Sequence, residues 1–241
     1  MGVLLASEVR RIVRSPRFLI FTVGFPVVYF LIFSGLYATG PDAAVVTVVL
    51  MLNMAAFGAI SASISTGGRV AVERAVGWNR QLRLTPLPGW AYLVVKAGVA
   101  MLVALPALVL TFAVAAAFKH VDLSLVQWLR VFLAAWLGVL PFAAIGLLVG
   151  TMATQDSAQS MSTVTMLVFS LLGGVLIPAQ VLPAAMATVA HLLPSYWLAE
   201  AARDQLSGGG VPLQGVAVML VWLLVTGGLV AVRYRRDALR V

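Results

Sequence analysis

The chain has 241 residues, 62% hydrophobic and only 10% charged, with 16 Lys and Arg against 8 Asp and Glu. A soluble domain carries about 25% charged residues, so this composition excludes an ordinary water-soluble globular protein and makes the bilayer its natural solvent. The absence of cysteine also excludes disulfides, thiolate metal sites and a cysteine nucleophile.

The net charge of +8 sits in short arginine clusters between apolar runs, which reads as membrane topology and not as a nucleic-acid surface. Arginine outnumbers lysine fourteen to two, pointing to a GC-rich bacterial genome. Residues 1–15 interleave Val3, Leu4, Ile12 and Val13 with Glu8, Arg10, Arg11 and Arg14. That pattern fits a short amphipathic helix on the inner leaflet, with plain topogenic basic residues as the alternative. Ser15-Pro16 then turns the chain into an apolar run over 18–38. The run is longer than the about 7–15 residues of a signal peptide's apolar region, and no A-x-A cleavage site follows, so a retained first span is expected.

Charged residues divide the remainder into further runs. Uncharged stretches separate Asp42 from Arg69, Lys96 from Lys119, Arg130 from Asp156, and Asp204 from Arg233. Each is long enough for one helix to cross about 30 Å of hydrocarbon at about 1.5 Å per residue. Spans are therefore predicted at about 43–66, 92–118, 128–152 and 212–233. The uncharged gap from Asp156 to Glu200 holds a span at 158–177, and then Pro178, Pro183 and Pro194 punctuate the run. The stretch 184–193 is half the length of a span, so two short re-entrant or interfacial helices are expected within 182–206. The fold class is thus all-α integral membrane with six spans in one transmembrane domain.

Parity and charge bias agree. With six spans, residues 1–17, 67–96, 153–160 and 233–241 share one side and hold thirteen Lys and Arg, against three on the other. The basic side is cytoplasmic, so both termini are expected there. Within the spans, Pro26, Pro106 and Pro141 are candidate kinks. Gly146-x-x-x-Gly150, and Ala55, Ala59, Ala62 and Ser63, are small faces suited either to packing within the chain or to a dimer seam. Phe25, Tyr29, Phe33 and Tyr37 recur every four residues, as lipid contacts or as the lining of a substrate route.

Several chemistries have no residues to carry them. No Gly-Lys-Ser/Thr loop exists to cradle a nucleotide's phosphates, nor any Gly-x-Ser-x-Gly elbow. His120 and His191 are isolated, so no metal site and no catalytic residue is assigned. No acid lies within a predicted span, which weighs against an ion-coupled secondary transporter or a channel. Lys96 and Arg130 stand at span edges and can snorkel to the interface. Scattered Asp residues give an intramembrane enzyme nothing to cluster.

Segment 67–96 is the most distinctive part. Its thirty residues far exceed the two to eight of an ordinary helix connection, and Glu73, Arg74, Arg80 and Arg83 make it a candidate docking surface. The run with Glu73, Gly77 and Leu82-Arg83-Leu-Thr85-Pro86-Leu87 resembles the same loop of ABC type-2 exporter permeases, in particular the bacterial drug-resistance permeases of daunorubicin type. So do Arg10-Arg11-x-x-Arg14-Ser-Pro-Arg17 with Phe25-Pro26, Gly173-Gly174-Val-Leu-Ile-Pro178 with Leu182-Pro183, and Leu193-Pro194 with Glu200-Ala-Ala-Arg203. The resemblance covers essentially the whole chain in order. It implies a permease in the bacterial inner membrane that pairs as a homodimer or heterodimer and exports a drug-like or lipid-like substrate. ATP and Mg would be bound by a separate ATP-binding subunit and no cofactor by this chain, which would not itself be an enzyme. It further implies a coupling helix at 68–84, with Glu73, Arg74, Gly77, Arg80, Leu82 and Arg83 facing that subunit. Phe25, Tyr29 and Phe33 are candidates for the substrate pathway, and Pro178, Pro183, Pro194 and Glu200 mark the external re-entrant region.

Overall fold

The computed structural model describes residues 20–77, 89–177, 183–205, 209–210 and 212–239. The expected interfacial helix at 1–15, Arg80, Leu82, Arg83 and Pro178 lie outside them. The described residues form helices and no strands, as the need to pair every backbone amide within lipid requires.

A π-helical turn, Ile20–Gly24, leads into α1, Phe25–Tyr37. Then come α2, Ala43–Ala75, and α3, Gly89–Lys119. Next are α4, Leu125–Leu137, and α5, Leu140–Met152. The chain continues with α6, Ala158–Leu172, α7, Ala184–Ala190, α8, Pro194–Asp204, and α9, Leu213–Leu239. Four stretches are long and apolar enough to cross a membrane: α2, most of α3, α4 and α5 taken together, and Leu213–Tyr234 of α9. Thr22–Tyr37 and Ala158–Leu172 are apolar but shorter.

Two of the three candidate kink prolines stand at helix starts. Pro26 follows the π turn at the beginning of α1, and Pro141 opens α5. Between α4 and α5 the chain tightens for two residues, with Val139 N donating to Trp136 O and Phe142 N to Val139 O. Pro141 has no N–H to continue the α ladder there, which accounts for the break. Pro106 alone is interior, within α3.

At the centre is α2, which packs against α1, α3, α5, α6 and α8. Its buried residues include nearly all of Met51–Ile64. It meets α5 through glycines at very short range. A Cβ on Gly67 would fall 1.7 Å from Gly146 O, and one on Gly150 would fall 2.1 Å from Gly67 O. The Gly146-x-x-x-Gly150 face therefore serves packing within the chain. Polar contacts fix the same core: Ser63 Oγ donates to Ala100 O on α3 (3.4 Å), and Trp136 Nε1 on α4 donates to Met101 O (3.0 Å).

Two expected boundaries are corrected. The separate coupling helix expected over 68–84 is, across 68–75, a continuation of α2, whose 33 residues extend about 50 Å. It ends at Val76 and Gly77, and Gly77 takes φ +74°, a backbone conformation glycine adopts without a Cβ penalty. The helix expected over 158–177 stops at Leu172. Gly173 and Gly174, the latter at φ +72°, end it, and Val175 N and Leu176 N both fold back to Ser170 O.

Candidate functional site

The last two turns of α2 carry Glu73 and Arg74 in succession, about 100° apart around the helix. That rotation sends them to different neighbours. Glu73 faces the start of α3, where Tyr92 and Lys96 share one face at i,i+4 spacing. Lys96 Nζ donates to Glu73 Oε1 at 2.5 Å, and Tyr92 Oη donates to Glu73 Oε2 at 2.8 Å. Lys96 is buried and Glu73 half-buried, with side-chain exposures of 3% and 13%. Lys96 also lies 5.6 Å from the centre of the Tyr92 ring, within cation–π range. Tyr92 stacks in turn on Tyr234 of α9, with centroids 5.7 Å apart.

Arg74 reaches α5 instead. Its Nη1 donates to Thr151 O at 2.6 Å and to Gly150 O at 3.3 Å. These carbonyls close the C-terminal turn of α5, where helix geometry leaves acceptors open and the dipole favours a cation. Adjacent residues of α2 thus tie it to α3 and α5, and through Tyr92 to α9.

Lys96 does not snorkel. It turns inward onto Glu73, because a buried carboxylate without a cation would cost more than the desolvation of a paired ammonium. Arg130, the other cation read as a span-edge residue, is exposed on α4. The role of Lys96 escaped sequence reasoning, although one signal was present: Tyr92 and Lys96 are i,i+4 at the entry to an apolar run, the spacing of one polar face. Of the residues expected at the coupling surface, the structure brings Glu73 and Arg74 into this joint and places Gly77 at the helix end.

The expected pathway residues form a ring ladder along α1. Phe25 and Tyr29 lie 5.9 Å apart, Tyr29 and Phe33 stack at 3.9 Å, and Phe33 and Tyr37 at 5.6 Å. Phe25 also meets Phe57 of α2 at 5.3 Å, which ties the start of the ladder to the core.

The external-region candidates gather around α7 and α8. Pro183 precedes α7, Pro194 opens α8, and Glu200 lies within α8. Glu200 Oε2 accepts from Arg203 Nη2 at 2.5 Å and Nε at 3.1 Å. Arg203 Nη1 donates to Asn53 Oδ1 of α2 at 3.2 Å. Burial, and then the Glu200 carboxylate, push the Asp204 carboxyl above its usual range, while Arg203 pulls the other way. Leu198 of α8 lies over the α4–α5 break, where a Cβ on Gly138 would fall 2.4 Å from its Cδ1.

Comparison with known proteins assigns the class. A family described as ABC-2 type transporter matches residues 1–206. The chain is similar, at 27% identity over 220 residues and 90% of each sequence, to a protein of Bacillus subtilis (strain 168) named "Putative transport permease YvfS".

Proposed function

Because the chain belongs to the ABC-2 type transporter family, we propose that it is the permease subunit of an ATP-driven exporter. It supplies the translocation pathway and takes its energy from a separate ATP-binding subunit. In this reading six helical passes cross the inner membrane: α1, α2, α3, the α4–α5 pair, α6 and α9. Both termini are cytoplasmic, and α7 and α8 form a re-entrant pair on the external side. Two permease subunits, identical or different, assemble with two ATP-binding subunits, and ATP and Mg stay with the latter. The substrate is a drug-like or lipid-like amphiphile, for which the aromatic ladder of Phe25, Tyr29 and Phe33 offers an apolar, polarisable surface.

The observation that carries this reading is the joint at the end of α2. The segment after Gly77 follows directly from a helix pinned to α3 by Glu73–Lys96 and to α5 by Arg74. A push on residues 76–88 by a closing ATP-binding subunit would therefore reach several spans at once, as rigid-body rocking requires. An ion-coupled carrier would need an exchangeable acid deep in the bundle. Glu73 stands at the end of α2 and is held by Lys96 and Tyr92.

The test is co-expression with the cognate ATP-binding subunit, followed by purification and ATPase assay. The expected result is a complex of two copies of each, with ATP hydrolysis by the complex and none by this chain alone. Transport in liposomes driven by an ion gradient without ATP would replace this reading with the secondary-transporter one.

A further inference from the structure

We propose that the outward face of α4 binds the headgroup of an anionic phospholipid through Arg130. The external leaflet as its place rests on the six-pass reading above; the contact itself does not.

Arg130 stands five residues after Leu125, the first residue of α4. Val126, Leu129, Leu133 and Leu137 surround it at helical spacing, and each is about half exposed. Arg130 is exposed in the middle of that stripe. Its guanidinium makes no ion pair or hydrogen bond with a described residue. Asp122, the nearest acid in the sequence, is exposed and precedes the helix. The opposite face of α4 is the packed one: Val131 and Ala135 are buried, and Trp128 and Phe132 lie against Phe112 of α3.

An arginine in apolar surroundings is costly until an anion meets it. The helix gains nothing from this charge, because a cation near an N-terminus opposes the macrodipole, whereas an anion at that end is favoured. Together α4 and α5 run 28 residues, Leu125–Met152, which is about 42 Å against about 30 Å of hydrocarbon. Shared between the two ends, the excess leaves about 6 Å of α4 beyond the hydrocarbon. Arg130, about 7.5 Å along the helix, therefore stands at the boundary. Helix side chains lean toward the N-terminus, so the guanidinium is carried outward, to the level of the Ser124–Gln127 capping box. Lipid phosphates stand at that level, and the guanidinium fork takes two phosphate oxygens at once. The apolar stripe below it receives the acyl chains. A net-negative headgroup fits better than a zwitterionic one, whose own cation competes for the phosphate.

The chain contains no cysteine, so Leu133→Cys carries one fluorophore within the stripe. The full-length protein is reconstituted in vesicles containing dibrominated phosphatidylglycerol or dibrominated phosphatidylcholine, and quenching is read against mole fraction. Phosphatidylglycerol should reach half-quenching at about one-fifth of the mole fraction that phosphatidylcholine needs, the factor for about 1 kcal/mol from one basic residue at an anionic surface. Arg130→Gln should abolish that preference, and Arg130→Lys should keep most of it. A label at Leu224, exposed on α9, should show none. An unchanged preference in Arg130→Gln would overturn the site. So would the same preference at Leu224, which would trace it to the overall charge of the chain. A label at 133 that neither lipid quenches would mean that a second copy of the chain covers the stripe, and would also overturn it. Loss of the preference on adding inorganic phosphate would replace the lipid by a free anion. No ATP-binding subunit takes part in the measurement, so its result is separate from the exporter reading.

Discussion

Glu73 and Lys96 make a pair in which each residue's cost is set by the other. Replacing a buried ion pair by apolar residues is often neutral, whereas removing one partner costs about 3–5 kcal/mol because the other charge is stranded. Lys96→Met should therefore destabilise the detergent-solubilised protein strongly in a thermal-aggregation assay. The Glu73→Gln/Lys96→Met double variant should recover most of that loss, since the introduced amide oxygen can still accept from Tyr92. Two single losses that simply add would show that the ions are not coupled. The same geometry bears on transport. Glu73→Gln should lower export by about thirtyfold or more in the assembled complex, the lower end, about 2 kcal/mol, of losing a desolvated charged contact. The charge exchange Glu73→Lys/Lys96→Glu should restore part of it. If Glu73→Gln and Arg80→Ala are equally mild, the joint carries structure and not force.

At the scale of the element, the α2–α5 contact is the least forgiving among the described residues. Gly67, Gly146 and Gly150 bring two backbones together with no room for a methyl group. The clashing atoms are carbonyls and not side chains that could rotate away. Gly67→Ala should therefore abolish folded protein in the membrane, read by size-exclusion of a fluorescent fusion. Gly228→Ala on α9 is the control. Nothing lies within 4 Å of a Cβ there, and alanine exceeds glycine in helix propensity by about 1 kcal/mol, so the level should hold or rise. Equal yields of the two variants would mean that the α2–α5 approach is looser than the structure has it. The same seam supports α2 beyond one membrane thickness: α5 packs against it, and the Arg74 guanidinium closes the last carbonyls of α5.

For the whole molecule the decisive quantity is topology. Single cysteines in this cysteine-free chain at positions 8, 80, 156 and 238 should label from the cytoplasm, and those at 41, 121 and 209 from outside. An external position 238 would break the parity argument and, with it, the re-entrant placement of α7 and α8. Deleting 182–206 gives an independent check. Insertion should survive, because the flanking helices carry their own hydrophobicity, while export should be lost. Normal export by the deletion would reduce that segment to a connection.

The sequence by itself determined the solvent, the helical class and the family likeness, because composition, run length and motif order need no third dimension. An apolar run bounded by charges is a helix in lipid whatever it packs against. Proline and glycine also marked the segment that holds α7 and α8. Tertiary structure alone decided which polar groups meet. Glu73 was visible as an acid among arginines, yet its partner Lys96 is 23 residues away, and Asn53 lies 150 residues from Arg203. Those pairings depend on the rotation and depth of one helix against the next. The close approach at Gly67, Gly146 and Gly150 fixes both for α2 and α5. Likewise, only packing carried α2 past residue 66 to Ala75, where hydropathy had ended the span. The added turns carry Arg69, Glu73 and Arg74 beside the buried Val70 and Ala71 and gain their hold from α3 and α5, a source of stability that periodicity along one strand of sequence does not record.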